Sequence, residues 1–152
     1  MQPSNTIEAC STVEQPGWLN LRQALWPDCP CDEHLTEMAG FIADPGRYAQ
    51  FVAYASASLP IGFVEASLRI DYVNGTDTSP VVFLEGIYVA PGFRRQGLAA
   101  QLVAAVATWA RSRGCSEFAS DAPLDNELSH AVHLALGFTE TERVVYFRKP
   151  LG

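Results

Sequence analysis

Residues 81–99 decide the fold, and they read VVFLEGIYVAPGFRRQGLA. The first nine of them are rich in β-branched and aromatic side chains and predict a buried strand. Pro91 and Gly92 break that strand, and a helix then opens within 94–99 and runs to about Arg113, before Gly114. A strand, a short basic loop and a helix start together predict an anion site, because free backbone N–H groups and the helix dipole favour negative charge there.

The spacing within this stretch separates it from two common phosphate-binding loops. The chain contains neither the Gly-x-x-x-x-Gly-Lys run of a P-loop nor the Gly-x-Gly-x-x-Gly fingerprint of dinucleotide-binding folds. It contains instead Arg-x-x-Gly-x-Ala at 94–99, after a strand with an interior glycine, Gly86. A glycine there predicts a bulge or a close ligand approach. We expect such a bulge to turn the N–H groups of Ile87 and Val89 outward, where they can stabilise an oxyanion.

Composition restricts the class of protein. At 152 residues the chain fits one domain, and 48% hydrophobic against 18% charged residues argues against disorder. The net charge of −7 argues against binding to nucleic acid and favours a cationic partner, unless the acidic surface only maintains solubility. No run of 18 apolar residues and no signal-peptide pattern occur, so we expect a cytoplasmic protein with no membrane contact.

The four cysteines lie at positions 10, 29, 31 and 115 and are expected to be reduced. Cys29 and Cys31 with His34 nearby raise the question of a metal. A closed zinc site needs four ligands at recognisable spacing, so we predict ordinary thiols and no metal.

Helical spacing of Trp18, Leu21 and Leu25 predicts a helix that Pro27 ends. Trp26 lies in its last turn beside a polar loop, where core packing and ligand contact are both open. The patterns further predict a helix over 32–43, strands over 51–56 and 61–72, a hairpin turn at Asn74-Gly75, a strand over 115–119, a helix over 126–136 and a strand over 144–147. This order predicts a single α/β domain over 1–152, with antiparallel strands flanking the hairpin turn.

Two carboxylates and a tyrosine are candidate site residues. Glu85 lies within an apolar run, and burial of an unpaired carboxylate is costly, so we expect either an internal arginine such as Arg69 or a substrate ammonium beside it. Asp121 follows a strand at the end where α/β sites open, and its neighbour Asp125 is a candidate helix N-cap. Together with Tyr72, the two acids would form an acidic, aromatic-walled pocket suited to a polycation.

The motif at 94–99 and its placement resemble the acetyl-CoA site of the GCN5-related N-acetyltransferases. The resemblance covers nearly the whole chain and implies a mixed, mostly antiparallel central sheet flanked by helices. A closer resemblance is to the aminoglycoside 6′-N-acetyltransferases of the small dimeric subclass. It rests on WP at 26–27, ASLR at 66–69, DYVNG at 71–75, SPVVFLEG at 79–86, ASD at 119–121, ALGF at 135–138 and ETERV at 140–144.

This resemblance implies that a homodimer transfers acetyl from acetyl-CoA to the 6′-amine of aminoglycoside antibiotics and so confers resistance. It places the drug on Trp26, Tyr72, Glu85, Asp121 and Glu142, and Glu85 and Asp121 are also the candidate catalytic residues. It places acetyl-CoA on Ile87, Tyr88, Val89, Arg94, Arg95, Gln96, Gly97, Leu98, Ala99, Ala100 and Asn126.

We expect the amine to attack the thioester directly in a ternary complex. Cys115 begins a strand away from the cleft and has no adjacent base pattern, which argues against a covalent intermediate. Asp121 or Glu85 could take the amine proton, directly or through water, or could mainly hold and orient the amine.

The general acid is an open question at the sequence level. Many members of the superfamily carry a tyrosine four residues before the Gly-Phe pair as the acid for the leaving thiolate, and this chain has His133 there. Tyr146 and solvent are the alternatives, and a capping or packing role in the helix is the other interpretation of His133.

Two other functions fit the same residues. A polyamine or protein-amine acetyltransferase would also use acidic pocket residues. A non-catalytic acyl-CoA sensor would keep the site at 94–99 but has no need for Glu85 or Asp121.

Overall fold

The computed structural model describes residues 5–152, and a five-stranded sheet of order β1-β2-β3-β4-β5 lies at its centre. The strands are β1 (Thr6–Ala9), β2 (Tyr48–Ala55), β3 (Leu59–Arg69), β4 (Val81–Val89) and β5 (Phe118–Ala119). Each strand from β1 to β4 pairs antiparallel with the next, and β5 pairs parallel with β4. The predicted mixed, mostly antiparallel sheet is confirmed.

Helices cover both faces of the sheet. They are α1 (Trp18–Leu25), α2 (Cys31–Ala43), α3 (Leu98–Ser112) and α4 (Glu127–Ala135). Leu98, Leu102 and Val106 of α3 pack on one face, whereas Trp18 of α1 and Met38 of α2 pack on the other. All four predicted helices are confirmed, with α3 beginning just after the predicted loop. Among residues 5–152, no helix combines the length and apolar character that a membrane crossing requires.

A β-bulge at Glu85 reverses the faces that β4 presents. Glu65 of β3 lies opposite Gly86, and the next residue of β3 lies opposite Leu84, so Glu85 has no partner in β3. Even-numbered residues of β4 pack on the α3 side before the bulge, and odd-numbered residues pack there after it. The bulge predicted from Gly86 is therefore confirmed, and it explains why β4 shows no simple alternation of apolar and polar residues.

The connection between β3 and β4 is longer than predicted. β3 ends at Arg69, which lies opposite Val81, so residues 70–80 form a loop. A turn does form at Asn74-Gly75, where Gly75 has φ +83° and the Thr76 N–H donates to the Val73 carbonyl at 3.1 Å, but it lies inside this loop and does not join the two strands directly as a hairpin. The antiparallel pairing of the two strands is confirmed. The loop is fastened to the chain before β5, because the Glu117 carboxylate accepts the backbone N–H groups of Asp77 at 2.9 Å and Thr78 at 2.7 Å.

The predicted strands near the C-terminus are shorter or missing. β5 contains only Phe118 and Ala119 of the predicted 115–119, and residues 136–152 contain no strand. The prediction of a strand over 144–147 is therefore wrong for this chain by itself. Its residues have strand propensity but meet no strand edge, and Phe147 is 92% exposed.

Candidate active site

An open cleft of about 760 Å³ lies between α1, α2 and the bulged part of the sheet. Its aromatic lining is Trp26, Phe41 and Tyr48, and its carboxylates are Asp28, Glu37, Glu65 and Glu85. Among the described residues that line it, Arg22 is the one arginine or lysine. The cleft is therefore acidic and aromatic, which suits a ligand that carries several positive charges.

Trp26 fills the space above Gly86. A Cβ atom at Gly86 would lie 2.5 Å from Cη2 of Trp26, so only glycine permits this approach. The indole also meets Phe63 edge-on, with ring centroids 5.9 Å apart. Trp26 is half-buried, so part of it packs in the core, and it also lines the cleft.

Glu85 is not buried, contrary to the sequence prediction. Its side chain is 34% exposed because the bulge moves it out of the strand ladder at the edge of the helical cover. It accepts a hydrogen bond from the Ser67 hydroxyl at 2.5 Å and from Arg69 Nη2 at 3.0 Å. Arg69 is thus its cationic partner within the chain, and an ion pair this exposed is weak enough to be exchanged.

The buried carboxylate is Glu65, which sequence reasoning missed. It is 3% exposed, and both of its oxygens lie 2.5 Å from Nη1 of Arg22. The Trp18 indole N–H donates to Oε2 at 2.9 Å. Burial raises the pKa of Glu65, and the Arg22 guanidinium and the Trp18 N–H oppose that rise. Glu65 interrupts an apolar run just as Glu85 does, and this was the available signal.

Arg22 extends this cluster to His34 and Glu37. Its Nε donates to Nδ1 of His34 at 3.0 Å, and its Nη2 donates to Glu37. Nε2 of His34 lies 3.3 Å from the Trp26 carbonyl oxygen. Because Nδ1 accepts, the ring proton sits on Nε2 and points to that carbonyl.

Both ring nitrogens of His34 are therefore engaged in hydrogen bonds rather than aimed at a metal with Cys29 and Cys31. All four cysteines are free thiols. Within residues 5–152, no group of three or more His, Cys, Asp or Glu side chains is arranged to hold a metal ion.

A gap opens between β4 and β5. Their parallel pairing ends at Phe83 and Ala119. The Ala90 N–H donates to the β3 backbone at 2.8 Å, and N–H groups alternate sides along a strand. The N–H groups of Ile87 and Val89 therefore point away from β3, toward the gap, where no β5 residue pairs with them in the described chain.

The loop at 94–97 places the start of α3 beside the end of β4. Gly97 has φ +79°, and Arg94 donates from Nε to the Val89 carbonyl at 2.8 Å. The first hydrogen bond of the helix runs from the Gln101 N–H to the Gly97 carbonyl at 3.1 Å. The N–H groups of residues 98–100 thus have no acceptor within the helix and are available to an anion.

Asp121 lies at the far side of the gap. It follows Ala119, the last residue of β5, by two residues and so lies beyond the point where the pairing with β4 ends. Asp121 is exposed. It does not line the cleft around Trp26 in the described part of the chain.

The N-cap of α4 is Asn126, so the prediction of Asp125 as the cap is wrong by one residue. The Asn126 side chain accepts the Ser129 N–H at 3.1 Å. Asparagine and aspartate cap equally well, and only the local backbone geometry selects between adjacent positions.

Both ring nitrogens of His133 lie within hydrogen-bond distance of serine oxygens. Its Nδ1 lies 2.7 Å from the Ser129 carbonyl oxygen, and its Nε2 lies 2.7 Å from the Ser120 hydroxyl. Its ring also meets Phe138 edge-on at 5.4 Å. Tyr146, the other candidate acid, is 79% exposed in the C-terminal segment.

Tyr72 and Glu142 do not line the cleft around Trp26 in the described chain. Tyr72 is 74% exposed in the 70–80 loop. Glu142 lies against the same loop, because a Cβ atom at Gly75 would be 3.9 Å from the Glu142 Cβ. The predicted drug contacts therefore form two sets, Trp26 with Glu85 in the cleft and Tyr72 with Glu142 at the 70–80 loop, and Asp121 lies beyond the end of β5.

Cys115 is buried in the core against α3 at 7% exposure. Burial raises the pKa of its thiol. A buried, protonated thiol is a poor nucleophile, in agreement with the expectation that the reaction does not pass through it.

Comparisons with known proteins agree with this geometry. The model of the Acetyltransferase (GNAT) family matches residues 16–138. The aminoglycoside N(6′)-acetyltransferases type 1 of Acinetobacter genomosp. 13 and Acinetobacter baumannii are each 56% identical to this chain, over 89% and 96% of it and over 91% and 99% of their own lengths.

Solved structures give the same result. The 6′-N-acetyltransferase AAC(6′)-Ih from Acinetobacter baumannii has a TM-score of 0.92 at 52% identity, covering 98% of this chain and 100% of its own. AAC(6′)-Iy in complex with the bisubstrate analogue CoA-S-monomethyl-acetylneamine has a TM-score of 0.91 at 47% identity, covering 97% and 99%.

Proposed function

The chain belongs to the acetyltransferase (GNAT) family, and from this premise we propose that it transfers the acetyl group of acetyl-CoA to the 6′-amine of aminoglycoside antibiotics and so confers resistance. The observation that carries the proposal is the acidic, aromatic cleft beside the bulge of β4. Aminoglycosides carry several ammonium groups, which such a cleft attracts. The relatives at 56% identity are aminoglycoside N(6′)-acetyltransferases, which supports the same substrate class.

We propose that acetyl-CoA lies in the gap between β4 and β5. The diphosphate would meet the N–H groups at the start of α3, and open space is available because a Cβ atom at Gly97 would meet nothing within 4 Å. The thioester carbonyl would meet the outward N–H groups of β4. The proposed cofactor contacts are Ile87, Tyr88, Val89, Arg94, Arg95, Gln96, Gly97, Leu98, Ala99, Ala100 and the amide of Asn126.

The chemistry we propose is direct acyl transfer. The 6′-amine nitrogen attacks the thioester carbon, and the N–H groups of Ile87 and Val89 stabilise the oxyanion that forms. The carbon–sulfur bond then breaks, and the leaving thiolate takes a proton from solvent or another acid. Glu85 or Asp121 holds the amine and accepts its proton, directly or through water.

The two sets of drug contacts define the proposed orientation. Trp26 and Glu85 would hold the ring that carries the 6′-amine, and Asp121 would face it from β5. Tyr72 and Glu142 would contact the more distant rings. Glu85 can exchange its exposed partner Arg69 for a drug ammonium.

We also propose that the working unit is a homodimer. α4 buries none of its residues, and Leu128 on it is 77% exposed. Val145 and Phe147 in the C-terminal segment are 76% and 92% exposed. A second copy that paired with the segment at 144–147 would cover this apolar surface and hold Glu142 near the drug. Sedimentation should give a dimer at micromolar concentration, and a fully active monomer would rule this out.

The enzyme acts, on this proposal, as a single domain in the cytoplasm. All four of its cysteines are free thiols, and free thiols persist in a reducing compartment. Acetyl-CoA must also be available there as cosubstrate.

An acyl-transfer assay tests the function against its two alternatives. Release of free CoA is followed with acetyl-CoA and an aminoglycoside bearing a 6′-amine, with spermidine, and with a lysine-containing peptide. We expect release with the drug and none above background with the other amines. Preference for spermidine or the peptide would favour the other enzyme class, and binding of acetyl-CoA without release would indicate a sensor.

A further inference from the structure

Three polar side chains are buried beneath Trp26, and the proposed chemistry uses none of them. Arg22, His34 and Glu65 are 1%, 0% and 3% exposed. They come from α1, α2 and β3, three separate elements that meet behind one wall of the cleft. Their neighbours on this face, such as Val52 and Phe63, are apolar.

This cluster contacts Trp26 in two ways. The Arg22 guanidinium carbon lies 4.9 Å from the centroid of the indole ring, within the range of a cation–π interaction. His34 points its Nε2 to the Trp26 carbonyl oxygen at 3.3 Å. The ring and the backbone of Trp26 are therefore held by two members of one hydrogen-bonded cluster.

The cluster also reaches the bulge. Glu65 lies directly opposite Gly86 in the register of β3 and β4. Arg22 links the two sites, because it donates to Glu65 through Nη1 and to His34 through Nε. The indole over Gly86 is thus connected to Glu65, the residue of β3 that pairs with Gly86.

Stability alone does not explain this arrangement. Replacement of a buried ion pair by apolar residues of similar volume is often neutral or stabilising, whereas a directional cluster fixes one geometry. The group it fixes here is the aromatic wall of the cleft.

We propose that Arg22, His34 and Glu65 are positioning residues that hold Trp26 over Gly86 and thereby set the wall against which the acceptor amine's ring packs. This inference rests on the proposed function. It requires that disturbance of the cluster weakens binding of the drug and leaves binding of acetyl-CoA unchanged, because the cofactor gap lies on the other edge of β4.

The test is a pair of substitutions at His34. His34→Phe keeps the ring volume and removes both hydrogen bonds, whereas His34→Gln keeps one donor and one acceptor. We expect His34→Phe to raise KM for an aminoglycoside about tenfold to a hundredfold, the range typical of a misplaced binding group. KM for acetyl-CoA should not change, and His34→Gln should restore most of the affinity for the drug.

Val106→Ala is the matched control. Val106 is fully buried on the α3 side of the sheet, so its truncation lowers stability without touching the cluster. If His34 were only structural, His34→Phe would behave like Val106→Ala, with a lower unfolding midpoint and unchanged KM values for both substrates. That result would overturn the inference.

Arg22→Lys is the second test of the positioning role, for the case that His34→Phe does not fold. It keeps the positive charge beside Glu65 but cannot hold Glu65 and His34 together in the fork geometry of arginine. The same selective rise in KM for the drug is expected, and an unchanged KM would overturn the inference. A wild-type protein that acetylates no aminoglycoside overturns the proposed function as well, whereas active wild type with unaffected variants overturns the positioning cluster alone.

Discussion

The buried cluster beneath Trp26 and the C-terminal part of the chain from α4 onward differ in which kind of side chain is buried and which is exposed. In the first region a charged side chain, Arg22, is 1% exposed and donates hydrogen bonds to three partners. In the second an apolar side chain, Phe147, is 92% exposed. The first region buries charged side chains, and the second leaves apolar side chains exposed to solvent.

The contrast shows which part of the proposed site one chain can build. Around Arg22, each buried charge finds its partner within the chain, so the wall of the cleft is complete. Around Phe147, apolar surface stays in water, which is the usual mark of a surface that another protein covers. The proposed drug contacts are found in both regions, because Trp26 belongs to the first and Glu142 to the second.

The largest effect should come from breaking the buried pair. Glu65→Ala should lower the free energy of unfolding by about 3–5 kcal/mol, because it leaves the Arg22 charge buried without its main partner. Glu85→Ala removes a half-exposed pair and should cost at most about 1 kcal/mol. Urea unfolding of both variants checks this. Equal losses would show that the two regions of β3 and β4 do not differ as described.

The exposed acids should matter for activity, although they contribute little to stability. Glu85→Gln and Asp121→Asn each remove a charge and keep the shape, so we expect kcat/KM for aminoglycosides to fall about tenfold to a hundredfold, from about 1.5–3 kcal/mol per charge-assisted hydrogen bond. Acetyl-CoA affinity should barely move. Added salt should lower kcat/KM for aminoglycosides more in the wild type than in either variant, because the variants have less charge attraction left to screen. Unchanged efficiency with every drug tested would mean that the acidic cleft is not the drug site.

A polar substitution in the C-terminal segment tests whether a second copy of the chain covers its exposed apolar side chains. Phe147→Ser should raise the dimer dissociation constant at least about tenfold, because burial of a phenylalanine contributes about 1.5–3 kcal/mol. Leu59→Ser is the control, since Leu59 is also exposed, at 51%, but lies at the start of β3. Sedimentation at several concentrations distinguishes them. Identical behaviour of both variants would show that no second copy covers this segment.

The smallest effect concerns the cofactor loop, which belongs to neither region. Asparagine and aspartate both tolerate the positive φ of Gly97, so Gly97→Asn and Gly97→Asp differ mainly in charge. We expect Gly97→Asp to weaken acetyl-CoA binding at least about tenfold relative to Gly97→Asn, because it adds a negative charge where the diphosphate is proposed to lie. Calorimetry measures both affinities. Equal affinities would contradict the proposed place of the diphosphate.

The sequence was sufficient where the signals are local. β4 and α3 are confirmed because β-branched residues, a Pro-Gly break and a terminal glycine act within a few residues of one another. The bulge at Glu85 follows from the glycine beside it. Membership in the acetyltransferase family was visible for the same reason, since its motif lies in this one stretch.

The sequence was insufficient where burial depends on distant elements. Glu65 and Glu85 each interrupt an apolar run, and only the packing of α1 and α2 on β3 buries the first and leaves the second exposed. The segment at 144–147 has strand propensity, but no edge within the chain accepts it. Neither outcome can be calculated from neighbouring residues, because both depend on tertiary contacts.

The most direct measurement of the central claim uses two aminoglycosides that differ only at the 6′ position. One carries an amine and the other a hydroxyl, so both keep the remaining ammonium groups that an acidic cleft attracts. We predict acetyl-CoA-dependent acetylation of the amine and no product from the hydroxyl compound, with the new acetyl group located on the 6′ nitrogen by NMR. Equal turnover of both, or an acetyl group on another amine, would contradict the account.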